Sequence, residues 1–339
     1  MRFPRAISVW MVLAGGVTGA FGQQKAKLPI APVAPKQGVK TPGVQIPFES
    51  LKPEIEIAAP ETPGWIAIAD NVFVAKKDAL VRIDPKAKES KLLDPIAGIS
   101  KPCGGVVNAF SSLWVPSCGD GALLKVDAKA AKVSATVKSG AGTAPGLVAA
   151  SADSLWMLTD DKTTLSRIDP VENKVVGEFR LPAGCANLTF AETALWVTCA
   201  ADNRVLRIAA DSGLVEKSIE VSATPKSLAA GEGSIWVLCA KDGKVDRIDP
   251  KTNKVSKTIE LLTPGVDGSL AFGEGFLWAS VTGFPLTRIH PTTEQVVQQF
   301  YGEGGGVIQA GQGFLWLAST NSPKLLKIDP KRVIATLAE

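Results

Sequence analysis

A unit of about 40 residues recurs along the chain and limits what the chain can fold into. In its clearest copy, GEGSIWVLCAKDGKVDRIDPKTNKVSKTIEL (231–261), a tryptophan lies in the middle of a short apolar run. Counterparts of this aromatic residue follow one another at intervals of 38 to 42 residues: Phe73, Trp114, Trp156, Trp196, Trp236, Trp278 and Trp316. A period of this length with four short alternating runs is typical of β-propeller blades. Residues 54–339 are therefore predicted to form an all-β, seven-bladed β-propeller of four-stranded antiparallel blades.

Each unit divides into four strands, which we call a to d from the channel outwards. In the copy above they are predicted at 227–231, 235–237, 245–249 and 254–260. Asp242-Gly243 separates strands b and c, and Asp249-Pro250 marks the end of strand c. Such pairs favour tight turns, because Asp bonds its own backbone and Pro presets φ. One sheet of this size cannot bury both faces, so the units must stack around an axis.

Two motifs give the chain a family resemblance. G-x-G-S-[IL]-W-V and R-I-D-P-x-T-x-x-V, as in 231–237 and 247–255, resemble the YVTN-type repeat and, more closely, the seven-bladed streptogramin (virginiamycin B) lyase-like proteins. The resemblance covers residues 54–339 and implies a propeller whose d–a and b–c loops share the face around the channel mouth. It also implies a metal-assisted elimination that uses His and Glu residues near the channel.

The N-terminus has the pattern of an exported protein. MRFPRAISVWMVLAGGVTGAFG (1–22) combines a basic start, an apolar run and small residues at its end, which predicts a cleaved signal peptide. An uncleaved membrane anchor is the alternative. Residues 23–53, rich in Pro, Lys and Gln, are predicted to be an extended, solvated linker. Cleavage leaves 35 basic and 33 acidic residues, and this near balance predicts no binding to nucleic acid. The cleaved signal predicts a periplasmic or extracellular protein with no transmembrane span.

Both chain ends offer a candidate for the outermost strand of the last blade. Residues 55–59 align with a strand d, and RVIATLAE at the C-terminus also resembles one. We favour closure by the N-terminal strand, which would pair beside the C-terminal strands and join the two ends of the chain.

The repeat places the five cysteines in register. One pair of positions lies eleven residues before the tryptophan, at the start of strand a, and the other lies at the end of the antiparallel strand b. Strand neighbours of this kind predict two disulfides, Cys103–Cys118 and Cys185–Cys199, in keeping with export. Cys239 faces Pro225 at the partner position, so it is predicted to be a free, buried thiol.

Several conspicuous residues have structural interpretations. Strand c of every blade carries a cation two residues before its final Asp position: Arg82, Lys125, Arg167, Arg207, Arg247, Arg288 and Lys327. One interpretation is a ring of cations that binds an anion, but strand c is third from the axis and too far out to line a pore. We therefore favour the interpretation that each cation pairs with that Asp and that its side chain covers the tryptophan. The single histidine, His290, replaces the Asp of one R-I-D-P turn, opposite the channel mouth, and is interpreted as a turn residue. Aspartates in the b–c turns suit tight turns; a cation in the channel is the alternative.

Any ligand site is expected on the face of the d–a and b–c loops, since binding sites favour concave positions. The residues predicted there are the polar Asn187, Lys226, Ser227, Asp267 and Ser269 on strand a, with Asp160, Arg204, Lys241 and Phe284 from the nearby b–c loops. Ordinary solvated loop residues are the alternative. No motif predicts a metal site or a cofactor, and one histidine excludes His-based acid/base networks. We therefore favour a monomeric, exported scaffold that binds a protein partner or a small ligand. The alternatives are a streptogramin lyase-like enzyme or a propeller enzyme of quinoprotein or lactonase type.

Overall fold

The computed structural model describes most of the predicted propeller. The described residues are 38–58, 64–76, 79–86, 93–99, 101–141, 147–159, 163–263, 267–319 and 323–336. The predicted signal peptide and the first part of the linker lie outside them, so cleavage after residue 22 stays a prediction. Among the described residues, no helix is long and apolar enough to cross a membrane.

Seven antiparallel blades follow two short N-terminal strands, β1 (Gln45–Pro47) and β2 (Ile55–Ala58). Blades 1 to 3 contain β3 (Trp65–Ile68), β4 (Val72–Lys76) and β5 (Ala79–Ile83); β6 (Val107–Ala109), β7 (Ser112–Ser117), β8 (Ala122–Asp127) and β9 (Lys132–Lys138); and β10 (Val148–Ala150), β11 (Leu155–Thr159), β12 (Thr164–Asp169) and β13 (Lys174–Arg180). Blades 4 and 5 contain β14 (Cys185–Ala191), β15 (Ala194–Cys199), β16 (Arg204–Ala209) and β17 (Val215–Glu220); and β18 (Pro225–Gly231), β19 (Ser234–Cys239), β20 (Lys244–Asp249) and β21 (Lys254–Glu260). Blades 6 and 7 contain β22 (Gly268–Gly273), β23 (Phe276–Val281), β24 (Phe284–His290) and β25 (Gln295–Tyr301); and β26 (Gly306–Gly311), β27 (Phe314–Ser319) and β28 (Lys324–Ile328). The predicted fold class is confirmed.

The core lies between the blades. Strand b is buried along its whole length in β7, β15 and β19, because a neighbouring blade covers each of its faces. Every central aromatic residue, from Phe73 to Trp316, is fully buried. In most blades the indole N–H also donates to the a–b turn, as from Trp236 Nε1 to Gly231 O at 3.2 Å. The repeated aromatic residue therefore fills the seam between blades and fixes the turn beside it.

The ring is closed by the N-terminal strand, as predicted. β2 pairs antiparallel with β28, with Ile57 opposite Leu325, and so becomes the outermost strand of blade 7. The alternative closure by the C-terminal segment is wrong, because Pro330–Ala335 forms helix α1. Asp329 caps this helix by accepting a bond from Lys331 N, and a proline at the first helical position favours the same conformation.

The second half of the predicted linker differs from a solvated chain. β1 pairs in parallel with β25 on the outer edge of blade 6. Gln45 Nε2 donates to Gln299 Oε1 at 2.8 Å, and Gln299 N donates to Val44 O at 2.8 Å. The side chains of Val44 and Leu51 are buried. Residues 38–53 are thus held against the blade rather than solvated. The sequence did not predict this packing, because the spacing of the apolar side chains follows no helical or strand period.

Candidate functional site at the channel mouth

The innermost strands of the seven blades surround a central channel of about 790 Å³. One position of the repeat, nine residues before the central aromatic residue, contributes one wall residue from each blade. In blade order these residues are Gly64, Gly105, Leu147, Asn187, Ser227, Ser269 and Val307. At this position the wall is therefore polar in blades 4 to 6 and apolar or glycine in the others. We call Asn187, Lys226, Ser227, Asp267 and Ser269 the polar arc, and Gly64, Gly105, Leu147 and Val307 the apolar arc.

The polar arc contains an exposed ion pair. Lys226 Nζ lies 3.8 Å from Asp267 Oδ1, and their side chains are 39% and 66% exposed. Ion pairs that remain this solvated contribute little to folding, typically about 0–1 kcal/mol. Asn187, also on this side of the channel, is partly exposed. Both charges and one amide are thus accessible to a molecule that enters the mouth.

The two serines of the polar arc have structural partners. Ser227 Oγ accepts a bond from Leu270 N of blade 6 at 3.0 Å. Ser269 Oγ accepts from Ile308 N of blade 7 at 2.8 Å and donates to Gly306 O at 2.9 Å. Each hydroxyl therefore joins its own innermost strand to the next one. The serines hold the arc in place, and the groups left for a ligand are those of Asn187, Lys226 and Asp267.

The predicted b–c loop residues do not join this site. Arg204, Lys241 and Phe284 are not part of the channel wall, because the b–c turns leave each sheet between its second and third strands. Arg204 Nη1 instead lies 3.4 Å from Ser218 Oγ on the outer strand of its own blade. Asp160 lies outside the described residues. Sequence reasoning missed Leu147 and Val307, although they occupy the same repeat position as Asn187.

The strand c cations connect neighbouring blades. Each described Arg or Lys with a bond across the seam donates to the c–d turn of the next blade, as from Lys125 Nζ to Pro170 O at 2.8 Å and from Arg207 Nη1 to Pro250 O at 2.7 Å. Lys327 reaches Pro85 and so joins blade 7 to blade 1. Covering of the tryptophan is confirmed in blades 2 to 5 and 7, as where Lys125 Nζ lies 5.2 Å from the centre of the Trp114 ring. In blade 6 the Arg288 guanidinium lies over Phe276 instead.

The predicted pairing of these cations with the Asp of their own turn motif is wrong. Those carboxylates cap the c–d turn instead. Asp169 Oδ1 accepts from Val171 N at 2.7 Å and from Glu172 N at 2.9 Å, and these bonds hold the pKa of Asp169 below its usual value. His290 acts in the same way, since its Nδ1 accepts from Thr292 N at 3.2 Å. Its interpretation as a turn residue is confirmed.

The cysteines match the prediction. Cys103–Cys118 and Cys185–Cys199 are disulfides, and Cys239 is free and buried. Its Sγ lies 3.8 Å from Asp246 Oδ2, and burial, followed by the charge of Asp246, raises the pKa of the thiol. The thiol therefore stays protonated and is a poor nucleophile. In the described part of the chain, no three His, Cys, Asp or Glu side chains are grouped to hold a metal ion.

Comparison with known proteins agrees with this architecture. No protein-family model and no curated protein sequence match the chain. Among solved structures, a streptogramin B lyase superposes with a TM-score of 0.66 at 17% sequence identity, over 80% of this chain and 96% of the lyase. The chain is a seven-bladed β-propeller, similar in fold to that lyase. This propeller is also similar to the Cps50 (Swd1) propeller domain of Myceliophteria thermophila, with a TM-score of 0.68 at 13% identity, over 81% of this chain and 98% of that domain. Identities this low establish the fold alone.

Proposed function

We propose that the propeller is an exported, non-enzymatic binding protein whose polar arc takes a small molecule or a loop of a partner protein. The observation that carries the proposal is the exposed Lys226–Asp267 pair at one side of a channel mouth of about 790 Å³. Ligand sites are commonly concave, 300–1,000 Å³ in volume, and carry a few convergent polar groups among apolar ones. The polar arc supplies the polar groups of such a site, and the apolar arc supplies its apolar surface.

The chemistry of the polar arc favours a ligand with both an acceptor and a donor. An acceptor, such as a carboxylate or carbonyl, would bind Lys226 Nζ, and a donor would bind Asp267. Because the two side chains lie 3.8 Å apart in a solvated pair, a ligand can separate them at little cost in stability. Export is supported by the two disulfides and by the N-terminal sequence. We propose a monomer that binds no nucleic acid and needs no cofactor.

The Lys226→Ala/Asp267→Ala variant tests the binding site. We expect the immobilised wild-type propeller to retain a ligand from the exported fraction of its own cells. The variant should retain at least about tenfold less ligand, because it loses one or two hydrogen bonds to charged groups. Retained species are measured by mass spectrometry. An Arg204→Ala/Lys241→Ala variant, outside the channel wall, should retain wild-type amounts. Equal retention by the polar-arc variant would refute the site.

Lyase activity is the second candidate function, because a streptogramin B lyase is among the structural neighbours. The single histidine of the sequence, His290, caps a c–d turn on the face opposite the channel mouth, so no histidine is available at the mouth. We expect no ring opening when purified propeller is incubated with virginiamycin B and Mg²⁺ and the products are followed by mass spectrometry. Linearised virginiamycin B that accumulates in proportion to protein concentration would establish the enzyme instead.

A further inference from the structure

In the described part of the channel wall, the charge is carried by two side chains. Lys226 and Asp267 are the only charged residues among those that line the channel there, and their charges cancel. Residues 264–266, which precede Asp267 in the sequence, are Pro-Gly-Val and carry no charged side chain. A ligand with a single charge would therefore pair with one of the two side chains and leave the other without its partner.

The spacing of the two charges limits the size of the charged group that fits them. Lys226 Nζ and Asp267 Oδ1 lie 3.8 Å apart. In an α-amino acid the ammonium nitrogen and the carboxylate carbon are both bonded to Cα, which places them about 2.5 Å apart. A dipeptide adds about 3.3–3.6 Å between its charged ends, the length of one further residue. The charges of a single α-amino acid therefore match the spacing of this pair, and those of a peptide do not.

The backbone that carries both charged side chains is fixed by hydrogen bonds. Lys226 is the extra residue of a β-bulge in β18, a feature that re-aims side chains beside binding sites. In the loop before it, the buried carboxylate of Asp246 accepts a bond from Ser222 N at 2.6 Å. Asp267 Oδ1 accepts a bond from Gly268 N at 3.1 Å. Because these backbone positions are set before a ligand arrives, less conformational entropy is lost on binding.

We propose that the polar arc binds a free α-amino acid with an apolar side chain, an inference that rests on the binding function proposed above. The ligand carboxylate pairs with Lys226 Nζ and its ammonium group pairs with Asp267. One solvated ion pair is thereby exchanged for two charge-assisted contacts, and no charge is left unpaired. The partly exposed amide of Asn187 offers the carboxylate a further donor.

The rest of the wall favours an apolar ligand side chain. A charged side chain would find no third charge among the described residues of the wall. Apolar surface adjoins the polar arc on both sides. Val307 belongs to blade 7, next to the blade of Asp267, and Leu147 belongs to blade 3, next to that of Asn187. Contact with these residues removes a ligand side chain from water, so we expect leucine to bind at least about tenfold more tightly than glycine.

Titration calorimetry of the full-length propeller with L-leucine tests the ligand class. Two matched ligands keep the apolar side chain and lack one charge: 3-methylbutylamine has no carboxylate, and 4-methylpentanoate has no ammonium group. Each should bind at least about tenfold more weakly than leucine, because each loses one charge-assisted contact. Glycylleucine, whose charges are one residue further apart, should be weakened to a similar extent.

Two variants should change the ligand preference in opposite directions. In Lys226→Met the carboxylate has lost its partner, so leucine should bind no more tightly than 3-methylbutylamine. In Asp267→Asn the ammonium group has lost its partner, so leucine should bind no more tightly than 4-methylpentanoate. A variant that merely fails to fold would weaken all three ligands alike. Arg204→Ala/Lys241→Ala, outside the channel wall, should bind leucine as the wild type does.

The proposal is overturned if wild-type protein binds no leucine at millimolar concentration, or if either singly charged ligand binds as tightly as leucine. It is equally overturned if the two variants keep the wild-type order of affinities. The retention experiment on the exported fraction distinguishes this failure from that of the site itself. If the polar arc retains another species while leucine does not bind, only the ligand class is wrong. If neither is bound, the proposed binding function is wrong as well.

Discussion

Replacing Trp236 with alanine is expected to lower the free energy of unfolding by about 3–5 kcal/mol, the range for deleting a fully buried large aromatic side chain. The ring has no exposed surface, its Nε1 donates to Gly231 O at 3.2 Å, and the Arg247 guanidinium lies 5.4 Å from its centre. Alanine would leave a void between blades 5 and 6 and remove the surface that Arg247 covers. The loss is measured by urea unfolding followed by far-ultraviolet circular dichroism.

Trp236→Phe is the matched control for this variant. Phenylalanine occupies the same repeat position in blade 1, where Phe73 is fully buried. We therefore expect the ring to fit and the loss to be less than half that of the alanine variant, since a smaller void and one indole hydrogen bond are at stake. If the alanine variant were no less stable than the phenylalanine variant, the interblade role of this position would be wrong.

Removing either disulfide is expected to cost about 3 kcal/mol, the chain-entropy estimate for loops of this size. The cysteines are 15 residues apart in Cys103–Cys118 and 14 apart in Cys185–Cys199. The variants are Cys103→Ala/Cys118→Ala and Cys185→Ala/Cys199→Ala, and the measurement is the urea midpoint without reductant. Cys239→Ala, which loses one buried sulfur and no cross-link, should change stability by about 1 kcal/mol.

Alkylation followed by intact mass measurement checks the same pairing directly. Unfolded, unreduced protein should take up one alkyl group, at Cys239, and reduced protein should take up five, one for each cysteine. The folded protein should react very slowly, because the thiol is buried and its pKa is raised. More than one alkyl group without reduction would contradict the assigned disulfides.

The sequence predicts this fold well because one register repeats. Once Trp236 is assigned to strand b, counting from the equivalent aromatic residue of each blade assigns the cysteines, the strand c cations and His290 to their strands and turns. The sequence of one repeat does not specify which residues of the next blade it contacts, and the predictions that depend on such contacts are wrong. The pattern within one unit predicts that the strand c cations pair with their own Asp residues, whereas Lys125 bonds Pro170 in the next blade. The packing of Val44 beside blade 6 was missed for the same reason, since its neighbour lies far away in the chain.

The same repeat predicts part of the channel wall. The strand a residues Asn187, Lys226 and Asp267 line the channel, as the blade order requires. The b–c residues Arg204 and Lys241 do not, because the radial distance of a turn depends on which strands it connects.

Site-specific photo-crosslinking tests the central claim, that binding occurs at one side of the channel mouth. A benzophenone side chain is placed at Asn187 in the polar arc or at Leu147 in the apolar arc, two residues at the same repeat position. Each protein is irradiated with the exported fraction of its own cells, and adducts are identified by mass spectrometry. We expect one reproducible adduct from position 187, weaker or absent from position 147, and lost in the Lys226→Ala/Asp267→Ala background. Equal adducts from both positions, or none from position 187, would contradict the account.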